Sequence, residues 1–217
     1  MTAPRQYPLL EAIGVWVAMC VAVAGLSRLG ELSHALAALS AVLIPNAMLW
    51  TVPAALYLAR RDFAEYGLTF ANWRRGLAYG LAAALVVLPL FLVGYGLLWR
   101  FLGAGAPVWR FDASLALQLA TQLIAVAIPE EVFFRGYLQT LFAKAWPSAR
   151  GQDMAIVVVA ACFAVTHVAA IPQPQRLLVF FPGLLFGWLR RRGGSLAAPI
   201  VVHALANLAT FILEGGA

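Results

Sequence analysis

Charged side chains are scarce in this chain of 217 residues. Asp, Glu, Lys and Arg make up 11% of it, whereas soluble domains carry about 25%. Hydrophobic residues make up 63%, and the mean hydropathy is +0.86. This composition excludes a soluble globular domain and indicates a polytopic membrane protein in a lipid bilayer. The net charge of +6 does not require a nucleic-acid partner, and none is expected, because membrane proteins collect basic residues in their cytoplasmic loops.

Cysteine and the common hydrolase motifs are also lacking. The two cysteines, Cys20 and Cys162, lie in apolar runs without metal-site spacing, so no disulfide framework is expected. The sequence contains neither Gly-x-Ser-x-Gly nor His-Glu-x-x-His. Any hydrolytic chemistry therefore has to come from another set of residues.

Long apolar runs predict an all-α polytopic transmembrane bundle of about seven spans. We expect helices at about 8–27, 35–59, 76–101, 113–143, 154–170, 177–190 and 196–213. No repeat or linker divides the chain, so residues 1–217 are expected to form a single transmembrane domain. The run from Ile13 to Leu26 is similar to that of a signal peptide, but the spans that follow at once favour an uncleaved first helix.

The loops predict how the bundle sits in the membrane. With the N-terminus inside, the inner loops carry ten basic residues and the outer loops four. Such a bias favours a cytoplasmic N-terminus and an external C-terminus. The abundance of arginine and alanine indicates a bacterial source, so the inner membrane is the expected location. The inner set is Arg5, Arg60, Arg61, Arg74, Arg75, Lys144, Arg150, Arg190, Arg191 and Arg192; the outer set is Arg28, Arg100, Arg110 and Arg176.

The segment from Arg60 to Arg75 mixes charged residues with aromatic ones. A short interfacial helix with snorkelling arginines fits this composition. A plain polar loop fits it equally well, so both interpretations stay open.

Two adjacent carboxylates and a guanidinium follow the apolar run 113–128, in the sequence Pro129-Glu130-Glu131-Val-Phe-Phe-Arg135-Gly-Tyr. Ionised side chains at membrane depth are costly and usually mark function. Glu131 precedes Arg135 by four residues, which favours an ion pair on one helical face. Glu130 points roughly 100° away round the helix. Pro129 is expected to loosen the helix and open a wet pocket. The alternative is a structural ion pair with a spare acid at the membrane edge.

Two of the three histidines lie within predicted helices. His167 ends Phe163-Ala-Val-Thr-His in the fifth helix, and His203 opens His-Ala-Leu-Ala-Asn207 in the seventh. His203 and Asn207 share a helical face. The remaining histidine, His34, is expected to be a solvated loop residue.

The spacing of these residues predicts which of them meet. Glu130 lies 18 residues before Ser148 and His167 lies 18 after Ala149, so an antiparallel hairpin centred there brings both to the same depth. His203 lies only about ten residues past the centre of the Arg190–Ser195 loop. At 1.5 Å per residue it would therefore be roughly 10 Å shallower in the membrane than Glu130 and His167. Its convergence with Glu130 needs either a hairpin that protrudes into the cytosol or tilted helices.

This combination has the groups for peptide hydrolysis through an activated water. A carboxylate beside an imidazole can take a proton from water and return it to a leaving amine. A second imidazole and a carboxamide on one helical face can donate hydrogen bonds to an oxyanion.

The sequence resembles the CAAX protease and bacteriocin-processing (CPBP, or Abi) family, which contains the type II CAAX prenyl endopeptidases. Three motifs carry the resemblance, in order: Glu130-Glu131-x-x-x-Arg135, Phe163-x-x-x-His167 and His203-x-x-x-Asn207. It covers roughly 113–213, the expected catalytic core. It implies a glutamic-type intramembrane endopeptidase acting on a membrane-tethered protein or peptide. By the resemblance, Glu130 and His167 activate water, His203 and Asn207 form the oxyanion site, and Glu131, Arg135 and Phe163 support the site.

Other interpretations of these residues stay open. Glu130, His167 and His203 could bind zinc with a water as fourth ligand. Against zinc, Asn207 would have no ligand role, and no carboxylate is evident behind either histidine because Glu131 is expected to be committed to Arg135. We therefore expect no metal cofactor. A non-catalytic immunity or scaffold protein and a proton-coupled transporter are the remaining alternatives.

Overall fold

The computed structural model describes residues 7–101 and 113–213, which form helices and no strand. The helices are α1 (Pro8–Gly30), α2 (His34–Leu58), α3 (Trp73–Phe101), α4 (Leu115–Ala145), α5 (Ala149–Ala170), α6 (Phe180–Gly193) and α7 (Ala197–Leu213), with short 3₁₀ turns at Phe63–Tyr66 and Pro174–Val179. Helices α1 to α5 are each long and apolar enough to cross a membrane, and α7 is a shorter apolar helix. The predicted all-α polytopic transmembrane bundle is confirmed.

Several of the predicted helix boundaries differ from the observed ones by three to five residues. Helix α5 begins at Ala149 rather than 154, because the Ser148 side chain accepts a hydrogen bond from the Gly151 backbone N–H at 3.1 Å and caps the first turn. The sixth helix was expected at 177–190. The chain instead forms the 3₁₀ turn Pro174–Val179, and α6 then continues to Gly193 and ends where Gly194 takes a φ of 65°.

Helix α4 is the centre of the bundle. It packs against α1, α2, α5, α6 and α7, and every residue from Glu131 to Gln139 is buried. Its middle is not a regular α-helix, because wider π-type turns occupy Gln122–Ala127 and Val132–Leu138 on either side of Ile128–Glu131. Pro129 lies between them and supplies no N–H to the helix ladder. The loosened helix expected around the acid pair is therefore present, and π-type turns often occur at functional sites.

The segment between α2 and α3 is attached to the core. Its one helical element is a single 3₁₀ turn that ends in Tyr66, which is fully buried. A Cβ added at Gly136 of α4 would lie 2.9 Å from the Tyr66 carbonyl oxygen, so the glycine permits this close approach. Arg61 donates to both carboxylate oxygens of Glu11 in α1 at 2.6 Å, and these hydrogen bonds raise the pKa of Arg61. Phe70 remains largely exposed.

The position at which α7 starts explains how His203 in α7 reaches the level of Glu130 in α4. Leu196, the residue before α7, is buried, and its Cδ1 lies 3.4 Å from where a Cβ at Gly136 would be. Gly136 lies nine residues before the end of α4 at Ala145, a rise of roughly 13 Å. The α4–α5 hairpin therefore extends past the start of α7. This arrangement agrees with the protruding hairpin, one of the two geometries left open by the sequence.

Candidate active site

The carboxylate of Glu130 faces two imidazoles. Its Oε2 lies 4.0 Å from Nε2 of His167 in α5 and 3.7 Å from Nε2 of His203 in α7. The side chain is 17% exposed, and its buried Oε2 has no hydrogen-bond partner among the described residues. Separations of this size leave room for a bridging water. The structure thus brings together the three residues that the sequence predicted to converge.

The ring of His167 has a defined orientation. Its Nδ1 lies 2.9 Å from the backbone carbonyl oxygen of Phe163, one turn earlier in α5. A carbonyl oxygen only accepts, so Nδ1 is the donor and carries the hydrogen. In the neutral imidazole, Nε2 is then an acceptor directed towards Glu130. This arrangement suits proton transfer with a water held between the two side chains.

His203 is held from behind by Glu131. Its Nδ1 lies 2.8 Å from Glu131 Oε1, and the same oxygen accepts a hydrogen bond from Arg135 Nη1 at 3.0 Å. Glu131 and Arg135 form the ion pair that the sequence predicted, and both side chains are fully buried. The expectation that Glu131 serves Arg135 alone was wrong, because one carboxylate oxygen has lone pairs for both donors. Glu131 therefore links the ion pair to His203.

Aromatic rings enclose the ion pair and the histidines. The Arg135 guanidinium lies 4.4 Å from the ring centroid of Phe163, and its Nη2 donates to the Gly183 carbonyl at 3.2 Å. The Phe163 ring also meets the His167 ring edge-on at 4.4 Å, and Phe186 stacks on His203 at 4.9 Å. Phe163 thus contacts both the ion pair and a histidine, in agreement with a supporting position.

Asn207 lies one turn beyond His203 and has a partner that the sequence did not single out. Its Nδ2 donates to Oε1 of Gln122 in α4 at 3.0 Å. A carboxamide nitrogen has two hydrogens, so one N–H of Asn207 remains for another acceptor. In the sequence, Gln122 is a polar residue within the apolar run 113–128. The signal that could have found it is its position in the same helix as Glu130, eight residues or about two helical turns earlier.

A cavity of about 540 Å³ opens onto these residues and has a mixed polar and apolar lining. Among its lining residues are Gln122, Glu130, His167, His203 and Asn207, with Val23, Ile44 and Met48 from the first two helices. A second cavity of about 480 Å³ reaches His167, His203 and Asn207 from the side of α3 and α6, and apolar residues dominate its walls. The polar constellation therefore lies between two spaces, one of which is suited to an apolar group.

Glu130, His167 and His203 are also the side chains that could bind a metal ion. Among the described residues, no group of three or more His, Cys, Asp or Glu side chains is arranged to hold a metal ion. The contact between His203 and Glu131 nevertheless supplies the carboxylate that the sequence did not show, and such pairs also occur behind zinc ligands. The lack of a carboxylate behind the histidines is therefore no longer an argument against zinc. The argument from Asn207, an amide without a ligand role, still stands.

The comparison with protein families bears on the second half of the chain. Residues 112–209 match the family model described as type II CAAX prenyl endopeptidase Rce1-like. The resemblance to the CAAX proteases is confirmed over this region. This is a protease family, and the match supports an intramembrane CAAX-type endopeptidase in general. The matched region includes Glu130, Glu131, Arg135, Phe163, His167, His203 and Asn207. The comparisons with curated proteins and with solved structures found no match.

Proposed function

We propose that the protein is a glutamic-type intramembrane endopeptidase, in which Glu130 and His167 activate a water molecule for attack on a peptide bond. The observation that carries the proposal is the position of the Glu130 carboxylate, 4.0 Å from His167 Nε2 and 3.7 Å from His203 Nε2 at the wall of a cavity. A water between Glu130 and His167 is within hydrogen-bond reach of both. The carboxylate takes one proton as the water oxygen attacks the scissile carbonyl carbon.

The oxyanion that forms is bound by the α7 pair. His203 donates from Nε2 and Asn207 from the N–H that Gln122 does not use. A histidine that donates from both nitrogens carries a positive charge, and it would lie between the Glu131 carboxylate at Nδ1 and the oxyanion at Nε2. The intermediate then collapses, the C–N bond breaks, and Glu130 returns its proton to the leaving amine. No metal ion takes part in these steps.

The substrate we propose is a membrane-associated protein or peptide. The apolar cavity beside His167 and His203 supports a substrate with a hydrocarbon-rich part near the cleaved bond. A prenylated C-terminal peptide, as the family description implies, fits that requirement. We also propose a bacterial inner-membrane location with a cytoplasmic N-terminus. Cysteines introduced at Arg192 and Gly215 in a cysteine-free background should label from opposite sides of the membrane, and labelling from one side would overturn this orientation.

A cleavage assay on reconstituted protein tests the proposed activity. Glu130→Gln should lower the turnover of a membrane-tethered peptide by about 10²–10⁴-fold, the usual contribution of a general base, and leave the unfolding temperature unchanged. Glu31→Gln is the matched control, because its 61%-exposed side chain pairs with Arg28 at the surface. It should cleave like the parent protein. Equal turnover in the Glu130 and Glu31 variants would exclude the proposed base.

A further inference from the structure

A separate polar cavity of about 530 Å³ lies where α4 and α6 end and α5 begins. Its lining carries four basic side chains, Arg135, Lys144, Arg190 and Arg191, and among the described lining residues Glu65 is the one acid. It shares no described lining residue with the cavity at Glu130. It is therefore a distinct space with an excess of positive charge.

Three of the four basic side chains already have partners within the protein. Lys144 Nζ donates to Glu65 Oε2 at 2.6 Å, and Arg191 is hydrogen-bonded to Asp153. Arg135 is held in the buried ion pair beneath the candidate active site. Each of these three basic side chains is neutralised by its own acidic partner, and Arg190 is the basic residue that remains.

Arg190 has no such partner. Within residues 7–101 and 113–213, no carboxylate pairs with it and no acceptor receives a hydrogen bond from its guanidinium; its Nε is buried and unsatisfied. Arg190 is half-buried, and a buried donor without an acceptor is costly. An anion in the cavity would supply the partner that this guanidinium lacks.

The guanidinium of Arg190 lies close to the backbone of Gly67. Gly67, at the turn after Tyr66, has a φ of +79°, and a Cβ there would lie 2.7 Å from Arg190 Nη2 and 3.0 Å from Cζ. The guanidinium thus lies directly against bare glycine backbone. The absence of a side chain at residue 67 allows Arg190 to occupy the cavity wall, which is an observation independent of charge.

We propose that this cavity binds a phosphate-type anion, with Arg190 as its principal ligand. The planar guanidinium presents two parallel N–H donors that match two phosphate oxygens. Gln139 lines the same cavity and leaves its buried Oε1 without a partner among the described residues, so it can accept a hydrogen bond from a hydroxyl group of the ligand. The ligand is either the headgroup of an anionic phospholipid or free phosphate, since basic pockets at helix ends bind both kinds of group.

Thermal unfolding in neutral phosphatidylcholine nanodiscs tests this proposal and separates the two sources. Added phosphatidylglycerol should raise the unfolding temperature if the ligand is a lipid headgroup. Inorganic phosphate, compared with chloride at equal ionic strength, should raise it if the ligand is the free ion. Arg190→Gln should lose at least about tenfold in apparent affinity for the active ligand, the usual value of a charge-assisted hydrogen bond. Arg192→Gln is the matched control, because Arg192 lies in the same basic run over Trp188 and does not line the cavity.

A second variant keeps the test valid if Arg190→Gln folds poorly. Arg190→Lys retains the charge and the aliphatic stem but presents no planar fork, so it should fold and bind the same ligand more weakly than the parent. The proposal is overturned if neither phosphatidylglycerol nor phosphate stabilises the parent protein. It is equally overturned if the Arg190 and Arg192 variants respond alike.

Discussion

Helices α1 to α3 differ from helices α4 to α7 in what they bury, although α1 to α5 are all apolar enough to cross a membrane. In each of α1, α2 and α3, 17% of an apolar 18-residue window is buried, whereas the share is 22% in α4 and 44% in α5. The fully buried ion pair and both catalytic histidine candidates belong to the second group, and so does the family match at 112–209. Hydropathy therefore marks both halves as membrane helices, while buried polar side chains mark the half that carries the site.

The first half is nevertheless connected to the site region by specific contacts. The hydroxyl of Tyr137 in α4 donates to Glu11 in α1 at 2.6 Å, and Glu11 also holds Arg61. Trp16 donates to Thr166 Oγ1 at 3.1 Å, one residue before His167. Val23 and Met48 form part of the cavity wall at Glu130. Helices α1 and α2 thus shape the space in which the second half acts. The predictions below separate the two contributions.

The largest expected effect is on stability within the second half. Glu131→Ala leaves Arg135 buried without its carboxylate and removes the acceptor of His203, so unfolding should become easier by about 3–5 kcal/mol. Glu130→Gln should remain as stable as the parent, because the buried Oε2 of Glu130 has no hydrogen-bond partner among the described residues that the substitution would remove. Thermal unfolding of both variants in detergent measures the difference. Equal stability of the two would contradict the division of roles between adjacent glutamates.

The next effect is on catalysis without loss of stability. Asn207→Ala removes one donor to the oxyanion and should lower kcat by about 10²–10³-fold. Gln122→Ala should have a smaller effect, because it removes only the acceptor that orients Asn207. Steady-state cleavage of one peptide by both variants tests this order. A greater loss for Gln122→Ala than for Asn207→Ala would place the important donor elsewhere.

A smaller effect is expected at the contact between the halves. Tyr137→Phe removes a hydrogen bond to a carboxylate and should cost about 1.5–3 kcal/mol of stability, with turnover per folded molecule retained. Tyr57→Phe serves as control, because Tyr57 is 76% exposed. Unfolding temperature and turnover are measured on the same samples. If Tyr137→Phe abolished turnover at full stability, the first half would have to act in the chemistry itself.

The sequence was sufficient to predict the helical bundle and the meeting of Glu130 with His167, since both follow from local pattern and from symmetrical spacing about one loop. It was insufficient for the contact between Glu131 and His203. That contact depends on the level at which α7 packs against α4, where Leu196 lies beside Gly136, and no local pattern in the sequence gives that level. Gln122 was missed for a related reason: a carboxamide in an apolar run has no partner until the helices are assembled.

The central claim, that Glu130 and His167 activate water without a metal, is tested most directly by chelation. Purified protein in lipid is treated for a long period with phenanthroline and EDTA, assayed for cleavage, and analysed for zinc. The account predicts undiminished cleavage and no stoichiometric zinc, because Glu130, His167, His203 and Asn207 all have roles in direct water activation. Loss of cleavage on chelation, with recovery on addition of zinc alone, would contradict it.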